Sequence, residues 1–254
     1  MSIKIAITYE KGGVAKTTTA VNVAAILADR GYKVLLVDLD HQSYATSYYA
    51  RYDDTKPGIF ELMQGAAEAE QVIIPSGISN LDMVPSTYSF RAMETVLMMK
   101  ISRQEYTLQN ALKDVESNYD FILMDCPPSG DRVKTNALAF ADYLILPTIP
   151  DDYAVHGLQC MAETIVDIKQ GVNPKLQVLG VLITIDERTA NKMAYKEALQ
   201  NQDIFPCFKT AIRKNTKLSE AINAHQPINL YEPKSNGNID YNALTDEIVE
   251  LVTR

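Results

Sequence analysis

Residues 10–19 read EKGGVAKTTT and lie between two apolar segments. Residues 3–8 are mostly aliphatic, which predicts a short buried strand, and residues 20–28 predict a helix packed on a sheet. A glycine pair between a strand and a helix lets the backbone approach an anion closely, and the first N–H groups of the helix point towards that anion. Lys16 adds a positive charge and Thr17 adds a hydroxyl, so the segment predicts a phosphate site with Mg²⁺ beside it.

The segment departs from the common phosphate-loop pattern G-x-x-x-x-G-K-[ST], because Glu10 and Ala15 occupy its two glycine positions. It has the pattern K-G-G-x-x-K-T-T instead, with Lys11 five residues before Lys16. This pattern resembles the deviant Walker A motif of the ParA/MinD family of ATPases, and both lysines disfavour the alternative of an ordinary glycine-rich turn. The resemblance implies that Lys11 and Lys16 are catalytic, and it implies an ATP-binding loop formed by Lys11, Gly12, Gly13, Val14, Ala15, Lys16, Thr17 and Thr18.

Two further aspartates follow a predicted buried strand at residues 33–38. Asp38 and Asp40 lie two residues apart where that strand ends, which is the edge of an open parallel sheet that binds ligands. The segment resembles the family motif D-x-D-P-Q-x-x-A-T. The resemblance implies that Asp40 orients the attacking water and that Asp38 lies towards Mg²⁺. His41 replaces the usual proline of this motif, which affects the switch segment and leaves the aspartates intact.

A third acidic position follows the hydrophobic segment 119–124. A strand that ends in an aspartate, here Asp125, is typical of a Walker B site, and Asp125-Cys126-Pro127-Pro128 resembles the family pattern D-x-P-P. The expected metal ligands are therefore Thr17, Asp38 and Asp125.

The fold class expected from these segments is α/β. Strands that alternate with helices imply right-handed crossovers and a mostly parallel twisted sheet with helices on both faces. Together with the motifs, this predicts a P-loop NTPase fold of the deviant Walker A type. Helical periodicity over residues 94–116 predicts one longer helix there. The chain of 254 residues has no Pro/Gly/Ser-rich linker, so a single ATPase domain over residues 1–254 is expected.

The composition excludes several other classes of protein. Three cysteines, none in C-x-x-C spacing, form neither a disulfide framework nor a zinc pattern, which fits a reducing cytoplasm. No apolar segment approaches the ~20 residues that span a bilayer, and the first strand starts too early for a signal peptide. The net charge of -8 argues against a uniformly basic nucleic-acid binder but permits a local basic face.

Residues 186–217 form such a basic segment, with seven basic and four acidic residues and a net charge of +3. Charge and spacing alone favour a solvated helix face over a DNA contact. The segment also resembles two family motifs, D-x-R-T and I-[PR]-R-x-x-x-L-x-E-A, whose arginines are Arg188 and Arg213 here. The resemblance implies that these arginines hold nonspecific DNA. Charge and helical spacing add Lys192, Lys214 and Lys217 to the expected DNA-binding residues.

The resemblance implies a ParA-type ATPase without an N-terminal helix-turn-helix, which serves DNA or plasmid partition. It further implies a cytoplasmic homodimer that forms on ATP binding, associates with the nucleoid through nonspecific DNA, and hydrolyses ATP slowly until a ParB-like centromere-binding partner stimulates it. The first alternative is a MinD-like ATPase that positions membrane or cargo. The last helix argues against it, because Asp240, Asp246, Glu247 and Glu250 are expected to face outwards and anionic lipid would repel them. The second alternative is a nucleotide-gated scaffold without turnover.

Overall fold

The computed structural model describes residues 2–49, 55–100, 102–187 and 189–253. Within these ranges, seven strands form one sheet in the order β3-β4-β2-β5-β1-β6-β7. Every neighbouring pair is parallel except β3 and β4 at one edge. The strands are β1 Ile3–Ile7, β2 Val34–Asp38, β3 Ile74–Pro75, β4 Leu81–Val84, β5 Phe121–Asp125, β6 Tyr143–Thr148 and β7 Gln177–Ile183.

Helices cover both faces of this sheet, as the sequence predicts. They are α1 Lys16–Asp29, α2 Tyr44–Tyr49, α3 Ile59–Gln64, α4 Ala69–Val72, α5 Met93–Met99, α6 Thr107–Leu112, α7 Asp131–Phe140, α8 Ala154–Gly171, α9 Ala190–Gln200, α10 Thr216–Asn223, α11 Ile228–Tyr231 and α12 Asn236–Val252. Three short 3₁₀ helices lie at Tyr88–Ala92, Gln104–Tyr106 and Glu116–Asn118. The predicted α/β class and mostly parallel sheet are confirmed.

The aliphatic residues of the central strands form two separate cores because successive side chains point to opposite faces. In β2, Leu36 belongs to the core that also contains residues of α1 and α12, whereas Leu35 and Val37 belong to the core on the opposite face, which contains residues of α7 and α8. All five residues of β2 and of β5 are buried. This double burial explains why these strands read as continuous hydrophobic runs in the sequence.

The predicted single helix over residues 94–116 is wrong. The segment contains α5 and α6, which are separated by a 3₁₀ turn. Arg103, which precedes this turn, has a φ of 52° in the left-handed region, and this conformation cannot continue a right-handed helix. Periodicity alone did not reveal the break.

The strand register brings the acidic positions together at one edge of the sheet. Asp38 of β2 lies opposite Asp125 of β5, and Asp125 also lies opposite Ile7, the last residue of β1. The loop that follows β1 therefore starts beside both carboxylates. This carboxyl edge is the place where an open parallel sheet binds its ligands.

Candidate active site

The loop between β1 and α1 curls around the amino group of Lys16. Lys16 is the first residue of α1 and is only 7 % exposed, and its Nζ donates a hydrogen bond of 3.0 Å to the carbonyl oxygen of Lys11. Gly13 has a φ of 76°, which favours glycine, and an added Cβ on Gly12 or Gly13 would meet no atom within 4 Å. The loop thus leaves open space over both glycines for a ligand.

Ala15 takes the left-handed conformation at the N-terminus of α1, with a φ of 64°. A residue with a Cβ is uncommon there and costs roughly 1–2 kcal/mol. The surrounding loop therefore holds this residue in place against an intrinsic preference. Such local strain is typical of ligand-binding loops.

A cavity of about 700 Å³ lies over this loop. Its lining includes Gly12, Gly13, residues 15–18 and Asp40, together with Ile185, residues 212–215 and Leu218. Its volume lies within the range of small-molecule and cofactor sites. The loop, the first turn of α1 and the segment after β2 therefore enclose a space that fits a nucleotide.

The buried carboxylate of Asp38 organises the segment that follows β2. One of its oxygens accepts a hydrogen bond from the Asp40 backbone at 3.0 Å, and the other accepts bonds from the Thr46 backbone and hydroxyl at 2.8 and 2.7 Å. Burial raises the pKa of Asp38 to about 6, although these hydrogen bonds act in the opposite direction. Asp38 thus fixes the start of α2 relative to the sheet.

Asp125 is buried to the same extent but both of its carboxylate oxygens lack a hydrogen-bond partner. Burial, and then the charge of Asp38, raise its pKa well above the usual range. The Thr17 hydroxyl lies close to the carboxylate without meeting hydrogen-bond geometry. A buried unpaired carboxylate is costly, so this site is suited to a cation or to water held by a cation.

No three His, Cys, Asp or Glu side chains in the described ranges gather as a ready metal cluster. The donors here are instead the Asp125 carboxylate and the Thr17 hydroxyl beside an anion-binding loop. Mg²⁺ typically takes one or two protein oxygens and completes its shell with water and phosphate. The donor set therefore fits Mg²⁺ together with a nucleotide.

Asp40 lines the cavity and is 8 % exposed. Its Oδ1 accepts a hydrogen bond of 2.9 Å from the Gln42 backbone and lies 3.5 Å from Nδ1 of His41. His41, the residue in the usual proline position, thus contacts Asp40 at its outer side. The carboxylate is held at the cavity wall by a tight local turn.

Lys11 points away from its own loop. Its half-exposed side chain forms an ion pair with Asp151, which follows β6. Lys16 and Lys11, which are close in sequence, therefore have different environments: one amino group is buried inside the loop and the other rests on a surface carboxylate. Asp151 has no motif signal of its own, so the sequence did not indicate this contact.

The expected DNA-binding residues do not form one helical stripe. Lys192 lies on α9, Lys217 lies on α10, and Arg188 lies outside the described residues. Arg213 precedes α10 and forms an isolated β-bridge with Asp186. The expectation that Arg213 and Lys217 lie one turn apart on the same helix is therefore wrong.

Arg213 is held by Asp240, which was expected to face outwards. Asp240 is 7 % exposed and accepts hydrogen bonds from the Arg213 backbone at 2.9 Å, from Nε at 3.0 and 3.1 Å, and from Nη2 at 2.6 Å. The outward assignment of Asp240 is wrong because this guanidinium and backbone amide provide a partner that compensates its burial. Arg213 also lines the cavity.

The three expected lysines are likewise engaged within the chain. Lys214 pairs with Glu187 and Lys217 pairs with Glu220, each at 2.6 Å. Lys192 donates a hydrogen bond of 2.8 Å to the carbonyl oxygen of residue 150. In this conformation, Lys214 and Lys217 are therefore paired with carboxylates and Lys192 with a carbonyl oxygen, and a polyanion would have to displace these contacts.

The chain is similar to known partition proteins along most of its length. A family model described as an AAA domain matches residues 2–178. The sporulation initiation inhibitor protein Soj of Bacillus subtilis is 38 % identical over 96 % of this chain and 97 % of its own length. The chromosome partitioning protein ParA of Myxococcus xanthus is 36 % identical over 98 % of this chain and 88 % of its own length.

Solved structures share the fold over nearly the whole chain. Cobyrinic acid a,c-diamide synthase from Mycobacterium smegmatis, with bound ADP and magnesium, superposes with a TM-score of 0.87 at 29 % identity and covers 100 % of this chain and 96 % of its own. A putative plasmid partition protein from Borrelia burgdorferi, bound to AMPPNP, has a TM-score of 0.84 at 25 % identity and covers 98 % of this chain and 99 % of its own. Both neighbours were solved with a nucleotide.

Proposed function

The chain belongs to the ParA/MinD family of ATPases, and we propose that it is the ATPase of a DNA partition system, active as a single domain over residues 1–254. The observation that carries this function is the loop closed around Lys16, whose amino group lies close enough to the unpaired carboxylate of Asp125 to interact with its charge. Relatives of similar length bear the names Soj and chromosome partitioning protein ParA. The substrate is ATP and the cofactor is Mg²⁺.

The loop binds the phosphates through residues 11–18. The backbone N–H groups at the start of α1 and the amino group of Lys16 supply positive potential to the triphosphate. Thr17 and Asp125 hold Mg²⁺, directly or through water, and Asp38 lies behind them as the residue that fixes the segment. Bound Mg²⁺ neutralises charge on the phosphate oxygens during transfer.

Hydrolysis requires a water molecule in line with the terminal phosphate. We assign the orientation of this water to Asp40, because it lines the cavity and its carboxylate is fixed by the Gln42 backbone. Lys16 stabilises the charge that develops in the transition state. His41 contacts Asp40 where the family motif has proline, and we expect slow turnover until a partner protein reorganises this segment.

Dimer formation gives Lys11 its role. Two copies face each other over two nucleotides, and each Lys11 leaves Asp151 to reach the phosphates in the other copy. Breaking the exposed Lys11–Asp151 ion pair costs little free energy, because surface ion pairs contribute little stability. Lys11 thereby links dimer formation to the presence of a triphosphate.

The ATP-bound dimer then holds nonspecific DNA through backbone phosphates. The residues assigned to this contact are Arg188, Lys192, Arg213, Lys214 and Lys217. Arg213 and Lys214 line the nucleotide cavity, which offers a route from nucleotide binding to the DNA surface. Release follows hydrolysis, which a ParB-like centromere-binding protein stimulates, and the ATP-bound form associates with the nucleoid.

The membrane-positioning alternative is less well supported by the last helix. Leu244 and Ile248 of α12 are fully buried against α1 and the sheet, so its apolar face is not available to lipid. In the ranges that the structure describes, no helix combines the length and the apolar composition needed to span a membrane. A sedimentation assay with ATP and anionic vesicles decides the alternative, and cosedimentation without DNA binding would favour it.

The central test uses Lys16→Ala and Asp40→Ala. Lys16→Ala should abolish ATP binding, whereas Asp40→Ala should bind ATP and accumulate as a DNA-bound dimer without releasing phosphate. Phosphate release and DNA retardation are measured with ATP, ADP and no nucleotide. Wild-type turnover by Asp40→Ala would contradict the assignment of the water to this residue, and equal DNA retardation in all three conditions would contradict the nucleotide switch.

A further inference from the structure

Tyr48 carries a polar group for which the protein supplies no partner. It lies on α2, in the segment that Asp38 anchors through Thr46, and its side chain is 4 % exposed. Its hydroxyl is buried and makes no hydrogen bond with the described part of the chain. The side chain nevertheless lines the nucleotide cavity. A buried hydroxyl without a partner is unfavourable, which indicates that its acceptor is a ligand or water.

This hydroxyl lies beside the loop to which we assign phosphate binding, since Tyr48 and residues 15–18 line the same cavity. The Thr18 side chain lies close by without meeting hydrogen-bond geometry. Burial, and then the charge of Asp125, raise the pKa of Tyr48, so the phenol stays protonated and remains a donor at neutral pH. The Asp125 oxygens are unpaired as well. A buried donor, the Tyr48 hydroxyl, and a buried acceptor, the Asp125 carboxylate, thus both lack a partner and lie within range of each other's charge.

Two neighbouring tyrosines differ from Tyr48, because their hydroxyls have partners within the protein. The hydroxyl of Tyr49, the next residue, donates a hydrogen bond of 2.7 Å to the carbonyl oxygen of Val21 on α1. The hydroxyl of Tyr241, which also lines the cavity, lies 3.3 Å from that of Thr19. Both of these side chains have partners within the fold. Tyr48 and Tyr49 are therefore neighbours on one helix, and only the hydroxyl of Tyr49 has a hydrogen-bond partner in the protein.

We propose that Tyr48 is a binding and positioning residue for the magnesium–nucleotide, whose hydroxyl donates a hydrogen bond to an oxygen of the bound complex. This oxygen belongs either to a phosphate or to a water on the metal. The inference rests on the proposed nucleotide site. The bond ties α2 directly to the ligand, and because Asp40 lies four residues before α2, it also sets the position of the segment that orients water.

The test compares Tyr48→Phe with wild type in two measurements. Phenylalanine keeps the ring and removes only the unpaired hydroxyl, so thermal unfolding without nucleotide should occur at the same temperature or a few degrees higher. Binding of Mg²⁺–ATP, measured by calorimetry, should weaken roughly tenfold because a hydrogen bond to a charged acceptor is lost. A purely structural tyrosine would show the reverse pattern.

Tyr49→Phe is the control. It removes a satisfied, partly buried hydrogen bond, so its unfolding temperature should fall while its affinity for Mg²⁺–ATP stays at the wild-type value. Repeating both titrations with EDTA separates the two acceptors. A loss that persists without Mg²⁺ identifies a phosphate oxygen, and a loss seen only with Mg²⁺ identifies a metal-bound water.

Unchanged Mg²⁺–ATP affinity of Tyr48→Phe would overturn the proposal, because the hydroxyl would then bind only a buried water. Equal losses of affinity in Tyr48→Phe and Tyr49→Phe would also overturn it, because the effect would then come from packing of α2. Failure of the wild-type protein to bind Mg²⁺–ATP would refute the nucleotide site itself. That outcome is separate from the others because it appears before any substitution is made.

Discussion

Replacing Asp125 by asparagine should stabilise the protein in the absence of nucleotide and Mg²⁺. Both oxygens of this carboxylate are buried without a hydrogen-bond partner, and Asp38 lies opposite it in the strand register. Asparagine has almost the same shape and no charge. The substitution therefore removes a desolvated charge that the nearby Lys16 compensates only in part, while the packing of β5 is kept.

The size of the effect can be worked from the same pair. Burial raises the pKa of Asp38 from 3.8 to about 6, so its ionised form is disfavoured by about 3 kcal/mol even with three hydrogen bonds. Asp125 has none of these bonds, and the asparagine amide retains part of the burial cost. We expect a gain of about 1–3 kcal/mol at pH 7.5, or roughly 2–12 °C in unfolding temperature.

The effect should depend on pH. A carboxyl group with a raised pKa in the folded state holds its proton more tightly there than in the unfolded chain, so wild-type stability falls as the pH rises from about 4 through the raised pKa. The advantage of Asp125→Asn should therefore shrink as the pH falls from 7.5 towards 5. Differential scanning fluorimetry across this range, with and without Mg²⁺–ATP, measures both the advantage and the loss of ligand stabilisation.

Asp142→Asn is the matched control at the opposite edge of the sheet, where the carboxylate accepts a hydrogen bond of 2.9 Å from the Lys4 backbone. It should give equal or slightly lower stability and an unchanged response to Mg²⁺–ATP. A lower unfolding temperature of Asp125→Asn at pH 7.5 would refute the reasoning, because Asp125 would then have a favourable partner in the ligand-free protein.

Three other substitutions test the contacts of the basic residues. Asp151→Asn removes the negative charge that holds Lys11, so ATP-dependent dimers should form at lower protein concentration in analytical ultracentrifugation. An unchanged dimer constant would count against this restraint. Glu187→Gln releases Lys214, so DNA retention should strengthen at low salt and its salt dependence should steepen by about one phosphate contact; an unaltered slope would show that this lysine does not reach DNA. Asp240→Asn weakens a partly exposed pair and should destabilise the protein by about 1 kcal/mol in urea unfolding, with no loss expected if the pair is fully screened.

The fold could be predicted from the sequence because its central strands are buried on both faces. Such strands read as short aliphatic runs, and the positions of Asp38 and Asp125 at their ends follow from parallel topology alone. The break between α5 and α6 could not be predicted, because neither the extended backbone of Lys100 nor the left-handed conformation of Arg103 has a signal in the sequence.

The candidate site also has a part that the sequence predicts and a part that it does not. Residues of the loop and the strand ends are set by local sequence, so motif spacing located them. Contacts between distant segments have no such signal: Arg213 meets Asp240 across 27 residues, and the unpaired hydroxyl of Tyr48 is defined only by what surrounds it. Sequence reasoning placed Asp240 on the outer face because an aspartate without a known partner is expected in solvent.

The internal pairing of the basic residues bears on how the protein could release a polyanion. A binding site built from free cations would hold DNA and phosphate tightly in every state. Here each described cation assigned to a phosphate or DNA contact has an acceptor in its own chain, so polyanion binding exchanges one set of contacts for another and the net gain is small. Small gains summed over several contacts give strong dependence on salt and on the nucleotide state, which suits a reversible switch. The pairs are Lys11 with Asp151, Lys16 with the carbonyl of residue 11, Lys192 with the carbonyl of residue 150, Arg213 with Asp240, Lys214 with Glu187, and Lys217 with Glu220.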